Sequence, residues 1–219
     1  MVKSANFYER LGGWTVFVIA FLTFFRTMAP TVSFWDCGQY IAASNILGIV
    51  HPPGNPLYIL IGRVATVIFF WSEQVAWRTN MVSVITAAFT ALFLFKIATF
   101  SMKEWICKNG VIEKNSELVT VLVTGFVGAL FGVFNYTFWF SAVETSVYVP
   151  AILTIVLNVY IVLIWAKRKK AGDKNCDKYL VLFAYFHAQI HRVALGKPAQ
   201  INHKPVRPFD RVILAVLLP

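Results

Sequence analysis

The chain has 219 residues, 58% of them apolar and only 14% charged, with 20 Phe, 8 Tyr, 7 Trp and a formal charge of +10. Soluble domains carry about 25% charged residues, disordered chains are poor in aromatics, and an outer-membrane barrel would show short alternating strands rather than long uncharged runs. The basic residues flank those runs instead of forming one polar face, which excludes a nucleic-acid partner, and the class that remains is an all-α, polytopic helical membrane protein.

A helix needs roughly 20 apolar residues to cross about 30 Å of hydrocarbon. Leu11 to Phe25 supplies 15 uncharged residues, and after Arg26 nine more reach Trp35. This predicts a first span over about 11–30. Lys3 and Arg10 precede its apolar core as in a signal peptide, but Thr27-Met28-Ala29-Pro30 is a poor cleavage site, so an uncleaved signal anchor is expected. Next, Cys37 to Gly48 is short and mildly amphipathic. His51-Pro52-Pro53-Gly54-Asn55-Pro56 is a stiff, non-helical linker whose last proline can open a helix as its first residue. The following 56–71 stretch is apolar, but it has 16 residues with Arg63 in its middle, which suits a helix lying along the interface. The expectation is one outer loop over 30–78 with juxtamembrane helices at about 36–48 and 56–71. A competing reading makes 56–71 a span and moves residue 144 into the cytoplasm.

Thr79 to Phe95 gives 17 uncharged residues before Lys96, which can snorkel to an interface; a second span is predicted over about 79–100. Leu118 to Val143 has 26 and Thr145 to Ala166 has 22, predicting spans over about 118–140 and 147–166. A partial span opens at Tyr179 and loses its character after Phe186. Basic residues in short loops set the orientation. Lys167, Arg168, Lys169, Lys170, Lys174 and Lys178 put the segment after the fourth span in the cytoplasm. Residue 144 is then outside, 101–117 inside and Arg78 outside. From a cytoplasmic N-terminus residue 30 is also outside, so 30–78 need not cross. Three cysteines, Cys37 outside with Cys107 and Cys176 inside, imply neither a disulfide nor a zinc site. Residues 187–219 form an atypical tail, read as frame-disrupted, in which His187 and His191 have no third ligand in view.

The ten carboxylates are the most informative residues. Six fall in cytoplasmic loops and Asp210 in the tail, leaving Asp36, Glu73 and Glu144 on the outer side. A carboxylate at the membrane centre costs on the order of 3 kcal/mol or more, so one near the apolar phase is a functional candidate. Asp36 opens Asp36-Cys37-Gly38-Gln39-Tyr40, although Ser33-x-x-Asp36 also fits a capping box at a helix start. Glu144, between two long spans, is either a turn residue or part of a site. Glu73 reads as an interfacial loop charge. His51 is a stiff-corner residue or a proton or phosphate partner for Asp36. Arg63 and Arg78 suit headgroups or a lipid-linked phosphate.

Several of these segments resemble one family. They are Pro30-Thr31-Val32-Ser33-Phe34-Trp35-Asp36-Cys37-Gly38-Gln39-Tyr40-Ile41-Ala42, Gly48-Ile49-Val50-His51-Pro52-Pro53-Gly54-Asn55-Pro56-Leu57-Tyr58, Gly62-Arg63, Ala76-Trp77-Arg78-Thr79-Asn80 and Ala142-Val143-Glu144-Thr145-Ser146-Val147-Tyr148. The resemblance is to a bacterial membrane family, long known only as a domain of unknown function and related to an animal endoplasmic-reticulum protein O-mannosyltransferase. It covers about 28–186. It implies a branch of the GT-C glycosyltransferases, with residues 1–186 as the N-terminal module of a longer enzyme. It further implies an acidic catalytic residue in the first outer loop, which maps to Asp36. Two departures stand out: the family usually has Glu where this chain has Gln39, and the expected apolar helix after Tyr185 is replaced by the tail.

The expected activity is transfer of a sugar, mannose among the options, from a polyprenyl-phosphate donor to a hydroxyl acceptor on the non-cytoplasmic side. Asp36, His51 and Glu144 would carry the chemistry, with Asp36 as base; Gln39, Arg63, Arg78 and Asn80 would bind substrate. The lipid-linked sugar is a substrate, no cofactor is implied, and metal dependence stays open. Expected partners are membrane lipid, that donor and a protein or glycan acceptor, in a multi-pass protein of the bacterial inner membrane rather than the endoplasmic reticulum. The rival class is a truncated, non-catalytic membrane protein or transporter fragment, but transporters more often break their spans midway.

Overall fold

The computed structural model describes residues 2–51, 54–107, 110–173, 177 and 180. The tail at 187–219, Cys176, Pro52, Pro53 and, apart from residue 180, the expected partial span from 179 lie outside the described residues. Within them there are seven helices and no strand: α1 Val2–Thr27, α2 Cys37–Ile46, α3 Pro56–Ile68, α4 Val75–Ile106, α5 Asn115–Val133, α6 Tyr136–Ala142 and α7 Tyr148–Lys170. The protein is an all-α membrane protein. Three helices, α4, α5 and α7, are long and apolar enough to cross a bilayer. The expected first span falls on α1, whose 26 residues suffice in length but include Glu9, Arg10 and Arg26.

The 32-residue α4 is the axis of the assembly and touches each of the other six helices. Its buried positions are mostly small, among them Ala76, Thr79, Ser83, Ala87, Ala88 and Ala91. In lipid, where apolar burial alone cannot drive helices together, such residues let backbones approach closely. Phe95 marks the crossing of α1, α4 and α5. A Cβ on Gly12 would fall 2.7 Å from its Cζ, and one on Gly125 would fall 2.7 Å from Cε2 and 2.6 Å from Thr99 Cγ2. The side chain fills the hole that two glycines leave. The opposite faces carry exposed Val18 and Leu22 on α1, Val123, Val127 and Phe131 on α5, and Ile155, Val159 and Val162 on α7, an apolar stripe at helical spacing that suits lipid.

The uncharged run expected to form one span at 118–140 is broken. α5 stops at Val133 and α6 starts at Tyr136. Asn135 causes the break: its Oδ1 accepts from Phe138 N at 3.0 Å and its Nδ2 donates to Gly132 O at 2.7 Å. One amide thereby caps the new helix and satisfies the end of the old one.

The two ends of the bundle differ. At one, Lys103 Nζ meets Glu9 Oε2 at 2.7 Å and Lys167 pairs with Glu104, tying the start of α1 to the ends of α4 and α7. At the other lie α2, α3, α6 and the α6–α7 connection, where Ala29 N donates to Val143 O at 2.8 Å. α3 begins with Pro56 in its first turn and has 13 residues, about 20 Å at 1.5 Å per residue, short of the bilayer core. Its outer face shows Leu57, Leu60, Val64, Val67 and Ile68, while Tyr58, Ile59 and Ala65 pack on Tyr40 and Ala43 of α2 and Val82 of α4.

Candidate functional site

Asp36 stands as the N-cap of α2 and makes no side-chain hydrogen bond to the helix; the capping-box alternative, which needs Ser33 as the N-cap, does not form. The Asp36 carboxylate is left free, with the side chain 60% exposed and Oδ2 3.8 Å from His51 Nε2. The other imidazole nitrogen, Nδ1, lies 2.7 Å from Gln39 Oε1. An amide oxygen only accepts, so Nδ1 carries the hydrogen of this contact and Nε2 is the nitrogen turned toward Asp36. Gln39, in the first turn of α2, thus orients His51.

Tyr40 builds the adjoining corner. Its hydroxyl accepts from Asn55 Nδ2 at 2.6 Å, and its ring stands edge-on to Tyr58 at 5.4 Å and His51 at 6.1 Å. Burial pushes both tyrosine hydroxyls above their ordinary range, so both stay neutral. Asn55 precedes Pro56 in left-handed backbone, a conformation asparagine tolerates.

Facing this corner is the α6–α7 connection. Asp36, Tyr40, His51 and Asn55 on one side and Phe140, Ser141, Glu144, Thr145 and Tyr148 on the other line a single cavity of about 450 Å³. Glu144 is 7% exposed, and its Oε2 has no hydrogen-bond partner among the described residues. Burial raises its carboxyl above the usual range, while the Ser33 hydroxyl works in the opposite direction. A buried acceptor without a partner costs about 1–3 kcal/mol, so this one calls for an explanation.

The expected substrate-binding residues divide. Gln39 belongs to the cavity through His51. Asn80 is fully buried behind its wall: Nδ2 donates to Ala29 O at 2.8 Å and Oδ1 accepts from the Thr145 hydroxyl. With Thr79 Oγ1 2.8 Å from Thr145 Oγ1 and Ser83 Oγ accepting from Ser146 N at 3.2 Å, it fastens the turn that presents Glu144. Arg63 and Arg78 do not line the cavity. Arg63 donates to Asn45 O across α2 and α3. Arg78 directs Nε, Nη1 and Nη2 to the carbonyls of Ser72, Thr66 and Phe70, at 2.6, 2.9 and 3.2 Å, and so holds the C-terminal end of α3. Glu73 is exposed and outside the lining. Sequence reasoning did not single out Tyr40, Asn55 or Thr145, although each falls within a quoted motif.

Asp36 and His51 could contribute two ligands to a cation, but no third His, Cys, Asp or Glu joins them among the described residues. The arrangement can do something simpler. A carboxylate open to the cavity can take a proton, the imidazole beside it can receive that proton, and a second carboxyl opposite can hold a hydroxyl.

Residues 36–189 match the family described as the protein O-mannosyl-transferase TMEM260 N-terminal domain. Protein O-mannosyl-transferase TMEM260 of Mus musculus is 33% identical over 84 residues, 38% of this chain and 12% of that protein. Its namesake in Dictyostelium discoideum is 27% identical over 81 residues, 36% of this chain and 10% of that protein. The matched segments thus cover only about a tenth of either relative's length. No solved structure matches the chain.

Proposed function

The chain belongs to the protein O-mannosyl-transferase TMEM260 N-terminal domain family, and from that premise we propose that it is the N-terminal module of a membrane glycosyltransferase. In this reading it moves a sugar, mannose by the names of its relatives, from a polyprenyl-phosphate donor to a hydroxyl acceptor on the non-cytoplasmic side. The observation that carries the reading is the convergence of Asp36, His51 and Glu144, from distant parts of the sequence, on one cavity. That cavity lies at the end of the bundle opposite the Lys103 and Lys167 ion pairs, and positive loops mark the cytoplasmic side. The setting in this reading is a bacterial inner membrane, as the resemblance of the sequence motifs implies.

The chemistry is a single displacement. The acceptor oxygen attacks the anomeric carbon as Asp36 takes its proton, the bond from that carbon to the phosphate oxygen breaks, and polyprenyl phosphate departs with the electron pair. His51 Nε2, facing Asp36, then receives the proton, while Gln39 keeps Nδ1–H turned away. Arg78 acts by holding α3. Arg63, with one described hydrogen bond against three for Arg78, has the freer guanidinium for a phosphate at the lipid boundary.

Asp36→Asn tests the assignment. Transfer from polyprenyl-phosphate mannose should fall about 10²–10⁴-fold, the usual contribution of a positioned base, with membrane insertion and melting temperature unchanged. Turnover at the wild-type rate would remove Asp36 from the role.

A further inference from the structure

Among the described residues, three that are not glycine have positive φ: Trp35 at 60°, Leu47 at 55° and Asn55 at 37°. Two have ordinary causes. Leu47 closes α2 as its C-cap, with Gly48 N donating to Ala43 O at 2.9 Å, the usual left-handed helix ending. Asn55 is of a type that enters this region readily. Trp35 has neither excuse. It lies in the turn that leads into α2, yet a bulky residue at positive φ is uncommon even in a turn, and such outliers collect at ligand sites.

Its surroundings indicate what the conformation accomplishes. Trp35 immediately precedes Asp36, lines the cavity and is 89% exposed. The left-handed backbone keeps a large apolar ring out of the core and at the mouth of a polar cavity. Tyr148, 66% exposed, lines the same cavity from the start of α7. On the inner wall the partnerless Glu144 Oε2 waits for a hydrogen donor. A flat aromatic face beside hydrogen-bonding groups fits a sugar ring, whose C–H face stacks on aromatics while its hydroxyls reach polar partners.

We propose that Trp35 is the platform on which the donor's sugar ring stacks, holding the anomeric carbon beside Asp36. This rests on the glycosyl-transfer reading above and adds the sugar subsite to it.

The test uses the purified protein in nanodiscs, titrated with polyprenyl-phosphate mannose and, separately, with sugar-free polyprenyl phosphate. Trp35→Asn accepts the left-handed backbone but has no ring; Trp35→Phe keeps a ring. Trp35→Asn should weaken the mannosyl lipid about ten-fold, the size of one stacking contact, leave the sugar-free lipid unchanged and melt no lower than wild type. Trp35→Phe should stay within about three-fold of wild type for the mannosyl lipid, since most of the stacking face survives. Unchanged affinity in Trp35→Asn would overturn the proposal, as would an equal loss for both lipids, which would make Trp35 a bilayer contact. A fall in melting temperature would overturn it too, by making the residue structural. If wild type itself fails to bind the mannosyl lipid, the glycosyl-transfer reading falls first and the platform with it.

Discussion

The Phe95 crossing and the Asp36–Glu144 cavity obey opposite rules. At the crossing every contact is closed: Phe95 is 1% exposed, the glycines of α1 and α5 leave room for its ring, and nearby charges pair at the bundle end. At the cavity, contacts are left open. Asp36 caps nothing, Glu144 keeps an oxygen without a partner, and Trp35 holds a backbone conformation that its own side chain disfavours. Both regions share α4, whose C-terminal half carries Phe95 and whose N-terminal half carries Asn80. The difference teaches where this fold is stabilised and where stability is given up for a site.

The comparison breaks most sharply at Gly125. Its Cβ would already overlap Phe95 and Thr99, so Gly125→Leu should separate α5 from α4 and cost about 3 kcal/mol or more, as overpacking does at its upper range. Thermal unfolding in detergent should show the loss, and sugar transfer should disappear along with the folded protein. A variant that melts like wild type would mean the crossing is not the structural anchor.

Asn80→Ala probes the seam between the two regions. It strips the Ala29 carbonyl of its Asn80 donor and the Thr145 hydroxyl of one of its two side-chain partners, for an expected loss of about 2 kcal/mol. Because the Thr145 turn presents Glu144, transfer measured on the surviving folded fraction should fall as well. Loss of stability with full activity would separate the fastening network from the site.

The two regions were not equally legible in the sequence. Spans announce themselves as uncharged runs because lipid excludes charge, and α4 and α7 coincide with such runs. The break at Asn135 was invisible to that reading, since an uncharged amide that caps a helix looks the same as one that does not. In the cavity, scarcity helped: with few carboxylates expected on the outer side, Asp36 and Glu144 had to be considered, and the structure brings them to one cavity. What each polar group touches could not be read. Ser33 was paired on paper with Asp36, yet it acts on Glu144. Asn80 was expected against substrate and lies behind the wall, and Arg78 was expected near phosphate and holds three carbonyls. Those partnerships depend on how α3, α4 and the α6–α7 turn meet, which no local pattern encodes.

The smallest effect is the most specific to the open region. Burial raises the Glu144 carboxyl above its ordinary value of 4.5, so the folded protein holds a proton there that the unfolded chain releases sooner. The protonated carboxyl therefore contributes stability that is fully present below about pH 4.5 and is lost as pH rises through the raised native value. Glu144→Gln keeps the shape but cannot ionise. Its melting temperature should match wild type at about pH 4 and exceed it at about pH 8, with the gap opening over the window in which native Glu144 would ionise. The same variant should transfer sugar more slowly, because an amide places an N–H donor or a weaker acceptor where the cavity offers a carboxyl. A pH-independent gap would mean that Glu144 is solvated, and the cavity would then resemble the closed crossing rather than contrast with it.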